Sequence, residues 1–226
     1  MRRNIFLIAL LFAGCAPNLK LTDRPSRPVY NEPQLGGPEL TELDKIVIRE
    51  AFKVLPPAMV DAVDYVRVIQ DKNHFRKSDQ TVTIAGHHCK EFDNTICISW
   101  IWVMRWIIWH ETAHVYAARL SEYHKMGEYY FSRDWRKIAG DVYGDNYRGD
   151  PESEGVLTAY GRTSWAEDVA EWVEYCYKYL HISKDDPVFQ KPHLKTDERY
   201  RQKLALLRQY GFFSNSDYQK LTPLFQ

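Results

Sequence analysis

The sequence predicts a single α+β domain: a small three- or four-stranded sheet set against one long buried helix, with a mainly helical C-terminal half. Three observations predict it. Apolar residues recur at helical spacing through residues 40–52, 132–139, 164–181 and 197–210. Short alternating or β-branched runs at 63–69, 81–86 and 95–99 read as strands. Residues 100–121, between those two halves, are apolar on most sides, the pattern of a helix buried all round.

Ahead of the domain the chain reads as a targeting segment and a tether. Met1-Arg2-Arg3 is a basic start, and residues 5–13 form an apolar run. That run is shorter than the ~20 residues a spanning helix needs, and it fits a signal-peptide core. It ends in Leu11-Phe12-Ala13-Gly14-Cys15, which resembles a bacterial lipobox, with Phe12 where Leu is usual. The resemblance implies an acylated Cys15 as mature N-terminus, hence an exported protein anchored by lipid in the cell envelope, on its periplasmic or its surface face. Ordinary secretion with cleavage near Ala16 is the alternative. Residues 16–38, with Pro17, Pro25, Pro28, Pro33 and Pro38, read as an extended tether, which leaves 39–226 as the domain. Within it, Pro56-Pro57 stops the first helix and Thr196 is the expected cap of the helix at 197–210. The Gly-, Asp- and Asn-rich stretch 140–156 is expected as a surface loop.

Composition excludes some partners. The 226 residues carry 30 Lys+Arg against 30 Asp+Glu, so no basic face for nucleic acid is expected, and the domain is expected to act as a monomer. Seven Trp and fifteen Tyr imply a large rigid core or an aromatic-lined cleft, which composition does not separate. An exported chain makes disulfides available, and Cys89 with Cys97, in neighbouring strand-like runs, are the expected pair. Cys176 lies in a helical stretch and reads as a small buried hydrophobe. His87-His88 read as a strand end near a cleft, and the four Trp of 100–109 as core or membrane-proximal packing.

The chemistry concentrates in His110-Glu111-Thr112-Ala113-His114, an HExxH pattern inside the buried helix. Residues four apart share a helix face, so two imidazoles converge on one point, where a Zn²⁺ takes nitrogens at ~2.0–2.1 Å. Glu111 is rotated by about 100° and is placed to act as general base toward a zinc-bound water. Two histidines and a glutamate buried in an apolar helix are costly unless they share a partner, which favours one Zn²⁺ per chain.

A third ligand must come from elsewhere. The extended pattern with Gly and His further along the helix fails at Ala117 and Leu120. Downstream, Glu167 and Glu171 lie four apart on one helical face, which suits a zinc ligand and a carboxylate that orients a ligating histidine. Ser164-Trp165-Ala166-Glu167 also spells a capping box, in which Glu167 reaches back to the Ser164 backbone, and spacing alone leaves both readings open.

The run Leu157-Thr158-Ala159-Tyr160-Gly161-Arg162-Thr163-Ser164-Trp165-Ala166-Glu167, continuing through Ala170-Glu171, resembles the second signature of the anthrax lethal factor catalytic domain, shared by secreted Pro-Pro endopeptidases. The resemblance implies a gluzincin metallopeptidase-like fold, with His110, His114 and Glu167 as zinc ligands and Glu111 as general base. It also implies Tyr160 as the phenol that donates to the developing oxyanion. Trp165 and Asp168 depart from the usual residues, so substrate preference does not carry over. By analogy with other metallopeptidases, strand 95–99 is expected along the cleft, pairing with extended substrate.

The expectation is an exported zinc endopeptidase acting on a protein or peptide. The alternatives are a non-catalytic zinc-containing surface lipoprotein that serves as a binding module, and a zinc amidase acting on cell-wall peptide.

Overall fold

Each element follows from local sequence chemistry. In the computed structural model the described residues are 33–37, 40–69, 86–88, 94–122, 130–140, 142–144 and 154–226. Among them the chain is α+β and mostly helical. The four strands are β1 (Gln34–Gly36), β2 (Tyr65–Ile69), β3 (Gly86–His88) and β4 (Thr95–Ser99). Helices α1 (Glu42–Lys53) and α2 (Pro57–Val60) come between β1 and β2. After the sheet come α3 (Arg105–Glu122), α4 (Tyr130–Ala139), α5 (Trp165–His181), α6 (His193–Thr196), α7 (Glu198–Gln209) and α8 (Asn215–Leu221).

The sheet runs in the order β1-β2-β4-β3, with β1, β2 and β4 parallel and β3 antiparallel to β4. Parallel neighbours need a crossover, and α1 with α2 supplies the one from β1 to β2. Leu35, Val66 and Ile96 stand in register across the parallel strands. All five residues of β4 are buried, as expected of an interior strand. Because β2 and β3 take both of its edges, β4 has no free edge for an extended peptide. The expectation that strand 95–99 pairs with substrate is therefore corrected.

Local signals set the helix ends. Thr41 and Asp44 form a reciprocal capping box at the start of α1. Pro56-Pro57 does end that helix, but Pro57 then occupies the first turn of α2, where a missing N–H does no harm. Residues 100–102 form a 3-10 turn ahead of α3 rather than its first turn. Trp100 and Trp102 are 43% and 40% exposed, and among the Trp of 100–109 only Trp109 is fully buried. Asp197, not Thr196, caps α7 by accepting from the Arg199 backbone. Gln34–Gly36, expected in the tether, form an edge strand, so the folded part reaches further toward the N-terminus than residue 39. Strand 81–86 falls outside the described residues apart from Gly86.

One core joins the two halves. Trp109 donates from Nε1 to the Ala51 carbonyl at 2.9 Å and lies 5.6 Å, ring to ring, from Tyr177, which binds α1, α3 and α5 together. A buried ring cluster (Phe131, Trp135, Trp172, Tyr200, Phe212, Phe225) fills the helical half. Truncating one such Trp costs about 3–5 kcal/mol, so the helices around the site have little freedom to shift. Among the described residues most of the aromatic side chains lie in this core or pack against it. Cys176 is free and fully buried within it. Cys97 is disulfide-bonded, and its expected partner Cys89 lies outside the described residues, as does Cys15.

Candidate metal centre

Helices α3 and α5 pack against each other, and His110 and His114 of α3 meet Glu167 and Glu174 of α5 across that contact. His110, Glu111 and Thr112 are buried on α3. Thr112 satisfies its hydroxyl on the Ile108 carbonyl one turn back, at 2.6 Å, so it takes no part in the site. His110 and His114 stand one turn apart with their Nε2 atoms 3.2 Å from each other. Glu167, in the first turn of α5, places Oε2 at 3.2 Å from His110 Nε2 and at 3.2 Å from His114 Nε2. The helix N-terminus there favours a carboxylate.

These three donors form a nearly equilateral triangle. Around a tetrahedral ion with ~2.0–2.1 Å bonds, neighbouring donors lie ~3.3–3.4 Å apart, which the 3.2 Å sides approach closely. The donor set, two imidazole nitrogens and one carboxylate oxygen, is one that zinc would accept. Charge points the same way. Four carboxylates (Glu111, Glu167, Glu171, Glu174) crowd two imidazoles, an excess that a divalent cation offsets. Glu111 Oε2 is buried with no hydrogen-bond partner among the described residues.

The capping alternatives resolve by division of labour. Ser164 Oγ accepts from the Glu167 N–H at 3.1 Å and caps α5, while the Glu167 side chain turns to the histidines. The Tyr160 ring stacks beside His110, with centroids 6.3 Å apart, and its hydroxyl donates to Glu167. The structure thus brings His110, Glu111, His114, Tyr160 and Glu167 together.

Glu171 is the exception. It was expected to orient a ligating histidine, but Glu174 does so instead, its Oε2 accepting from His110 Nδ1 at 3.0 Å. Glu171 accepts from the Thr158 hydroxyl at 2.5 Å, and so supports the segment that carries Tyr160. The sequence did contain the signal for Glu174, since positions 167, 171 and 174 share one helix face. With His110 Nδ1–H given to Glu174, the Nε2 lone pair is left for a metal. Replacing Glu174 with Gln is expected to weaken zinc affinity by roughly 10–100-fold, as loss of a carboxylate behind a ligating histidine does. Chelator competition measures it, and unchanged affinity would remove Glu174 from the site.

Protonation follows from burial and charge. Burial opposes a charged His110, yet the Glu167 and Glu174 hydrogen bonds outweigh it and raise its pKa well above the usual range. Burial also pushes Glu111 up, against the pull of His110 and His114. Burial, with the Glu174 charge, lifts Glu171 to about 7. Burial resists the Glu167 charge, but both histidines bond to it and hold its pKa well below the carboxylate range. Burial and then the Glu167 charge raise the Tyr160 phenol, so it stays protonated.

A pH dependence follows for the metal-free protein. A raised folded pKa gives stability that is complete below the unfolded value and lost as pH rises through the folded one. For Glu171 that loss spans its ordinary 4.5 up to about 7, and Glu111 acts in the same direction. For His110 the loss begins above its ordinary 6.5. Glu167 acts oppositely, losing its contribution only as pH falls below its ordinary 4.5. The metal-free Tm is therefore expected to peak near about pH 5 and fall toward about pH 8, a decline that added Zn²⁺ removes because metal replaces proton. Thermal unfolding across that range checks it; a flat metal-free profile would contradict the burial of these groups.

Comparisons with family models, with curated proteins and with solved structures found no match for this chain.

Proposed function

We propose that the protein is a zinc-dependent endopeptidase of gluzincin type. The observation that carries this reading is the 3.2 Å triangle of His110 Nε2, His114 Nε2 and Glu167 Oε2 beside Glu111 Oε2, which has no hydrogen-bond partner among the described residues. His110, His114 and Glu167 would hold a Zn²⁺, which when bound would supply a Lewis acid to polarise a peptide carbonyl and acidify water. Glu111 takes the proton of the attacking water and passes it to the leaving amine. Tyr160, held protonated beside His110, donates to the oxyanion as charge develops. Burial of the α3 face excludes bulk water and strengthens each of these interactions.

The same residues weigh against a binding module. Among the described residues Glu111 Oε2 is buried without a hydrogen-bond partner, and such a group destabilises a fold that makes no use of it. The N-terminal segment gives the location in our reading: export, with a lipid on Cys15 anchoring the domain to the cell envelope. Among the described residues no helix is long and apolar enough to cross a membrane.

The test is incubation of the mature domain with a diverse peptide library, with and without a chelator. Internal cleavage that a chelator stops and Zn²⁺ restores supports the endopeptidase. A protein that binds zinc and cuts cell-wall peptide but no library member supports the amidase, and one that binds zinc and cuts neither supports the binding module.

A further inference from the structure

Beyond the metal site, the described residues bury one ammonium completely, that of Lys203 on α7. Its Nζ donates to the Gly155 carbonyl and to Asp168 Oδ2, each at 2.5 Å. Asp168 is also fully buried, and the same Oδ2 accepts from Trp135 Nε1 at 2.8 Å and from the Tyr143 hydroxyl at 2.6 Å. One turn before Lys203, the Tyr200 hydroxyl donates to the Val156 carbonyl at 2.9 Å. Helix α7 thus grips two successive carbonyls at the root of the segment that leads to Tyr160. The same ammonium is bound to the residue that follows Glu167.

The backbone is shaped for this grip. Gly155 has φ of +75°, and a Cβ there would meet the Arg199 side chain at 3.0 Å, so the turn needs glycine. At Gly161 a Cβ would meet the Asp168 Cα at 3.3 Å, which shows how closely the Tyr160 segment lies on α5. Within the segment, the Gly161 N–H donates to the Thr158 hydroxyl at 3.2 Å and the Thr163 N–H to the Tyr160 carbonyl at 3.0 Å. A buried ion pair is a poor source of net stability compared with apolar side chains of the same volume. Its directional bonds, however, fix two elements in one arrangement.

We infer that Lys203 is a positioning residue, which through Gly155 and Asp168 sets the place of the Tyr160 phenol relative to Glu167 and His110. The inference rests on the peptidase reading for its catalytic consequence, not for its structural one. The variant to use is Lys203→Met with Asp168→Asn, which removes both charges at similar volume and avoids an unpaired buried charge. Met59→Ala, on the buried face of α2, is the control for general destabilisation.

Amide hydrogen exchange on the metal-free proteins reads the clamp directly. In the double variant, exchange across residues 155–164 is expected to rise roughly 10-fold or more while α3 stays protected, and in Met59→Ala no such local rise is expected. Unchanged exchange in that segment, or a rise spread equally over the whole domain, overturns the inference. Turnover reads the consequence. The double variant is expected to lose roughly 10–100-fold in kcat with KM little changed, and to lose nothing further once Tyr160→Phe is present. Equal losses in both backgrounds overturn the link to Tyr160. A wild type that cleaves nothing defeats the peptidase reading, and the exchange result alone then decides the clamp.

Discussion

Glu111→Gln is expected to lower kcat by roughly 10²–10⁴-fold while zinc binding stays at wild-type strength, the range that positioned proton transfer contributes. Gln keeps the shape of the side chain and fills the same buried place, so α3 has no reason to move. What it lacks is a basic oxygen. Glu111 Oε2 has no hydrogen-bond partner among the described residues, so an amide there breaks no hydrogen bond to Glu167 or the histidines. Losing the charge is also expected to raise thermal stability slightly, since a buried unsatisfied carboxylate is unfavourable. Steady-state kinetics, metal analysis and thermal unfolding check the three parts. Retained turnover would take the general-base role away from Glu111.

Glu167→Ala is expected to weaken zinc affinity by more than the roughly 10–100-fold assigned to Glu174, because it removes a donor rather than the support of one. Of the His110, His114 and Glu167 triangle, two imidazoles one turn apart on a single helix would then remain, too few for the closed side of a tetrahedral site. Its effect on folding should be small, since Ser164, not the Glu167 side chain, caps α5. Chelator competition against the wild type measures the loss. Unchanged affinity would return Glu167 to a purely structural role.

Much of this site was legible in the sequence because one helix fixes it. Four-residue spacing determines that His110 and His114 share a face, whatever else the chain does. The third donor was less legible. Residues 164–167 satisfy a capping pattern as well as a ligand pattern, and which one the Glu167 carboxylate serves depends on the distance between α3 and α5. The histidines take it, because a desolvated imidazole gains more from a carboxylate than a partly exposed backbone N–H does. The choice of Glu174 over Glu171 depends on the same crossing, so spacing along α5 could not make it.

The remaining differences have local causes. The 100–121 pattern is apolar from its first residue, but Trp100, Ile101 and Trp102 form an exposed 3-10 turn, so hydrophobicity alone began the helix too early. Strand β1 has three residues inside a Pro-rich stretch, too few to show alternation, and it exists because β2 offers it an edge. Asp197 displaces Thr196 as the cap of α7 because its carboxylate accepts from both the backbone N–H and Nε of Arg199. Lys203 gave no signal at all. A lysine on an amphipathic helix reads as solvated until Asp168 and Gly155 are seen to surround it.

X-ray absorption at the zinc edge of the reconstituted domain tests the central claim most directly. Expected is one Zn²⁺ per chain, with only nitrogen and oxygen neighbours at ~2.0–2.2 Å and a scattering pattern of two imidazoles that falls to one in His114→Ala. A domain that takes up no zinc, sulfur at ~2.3 Å, or a spectrum indifferent to His114→Ala would contradict it.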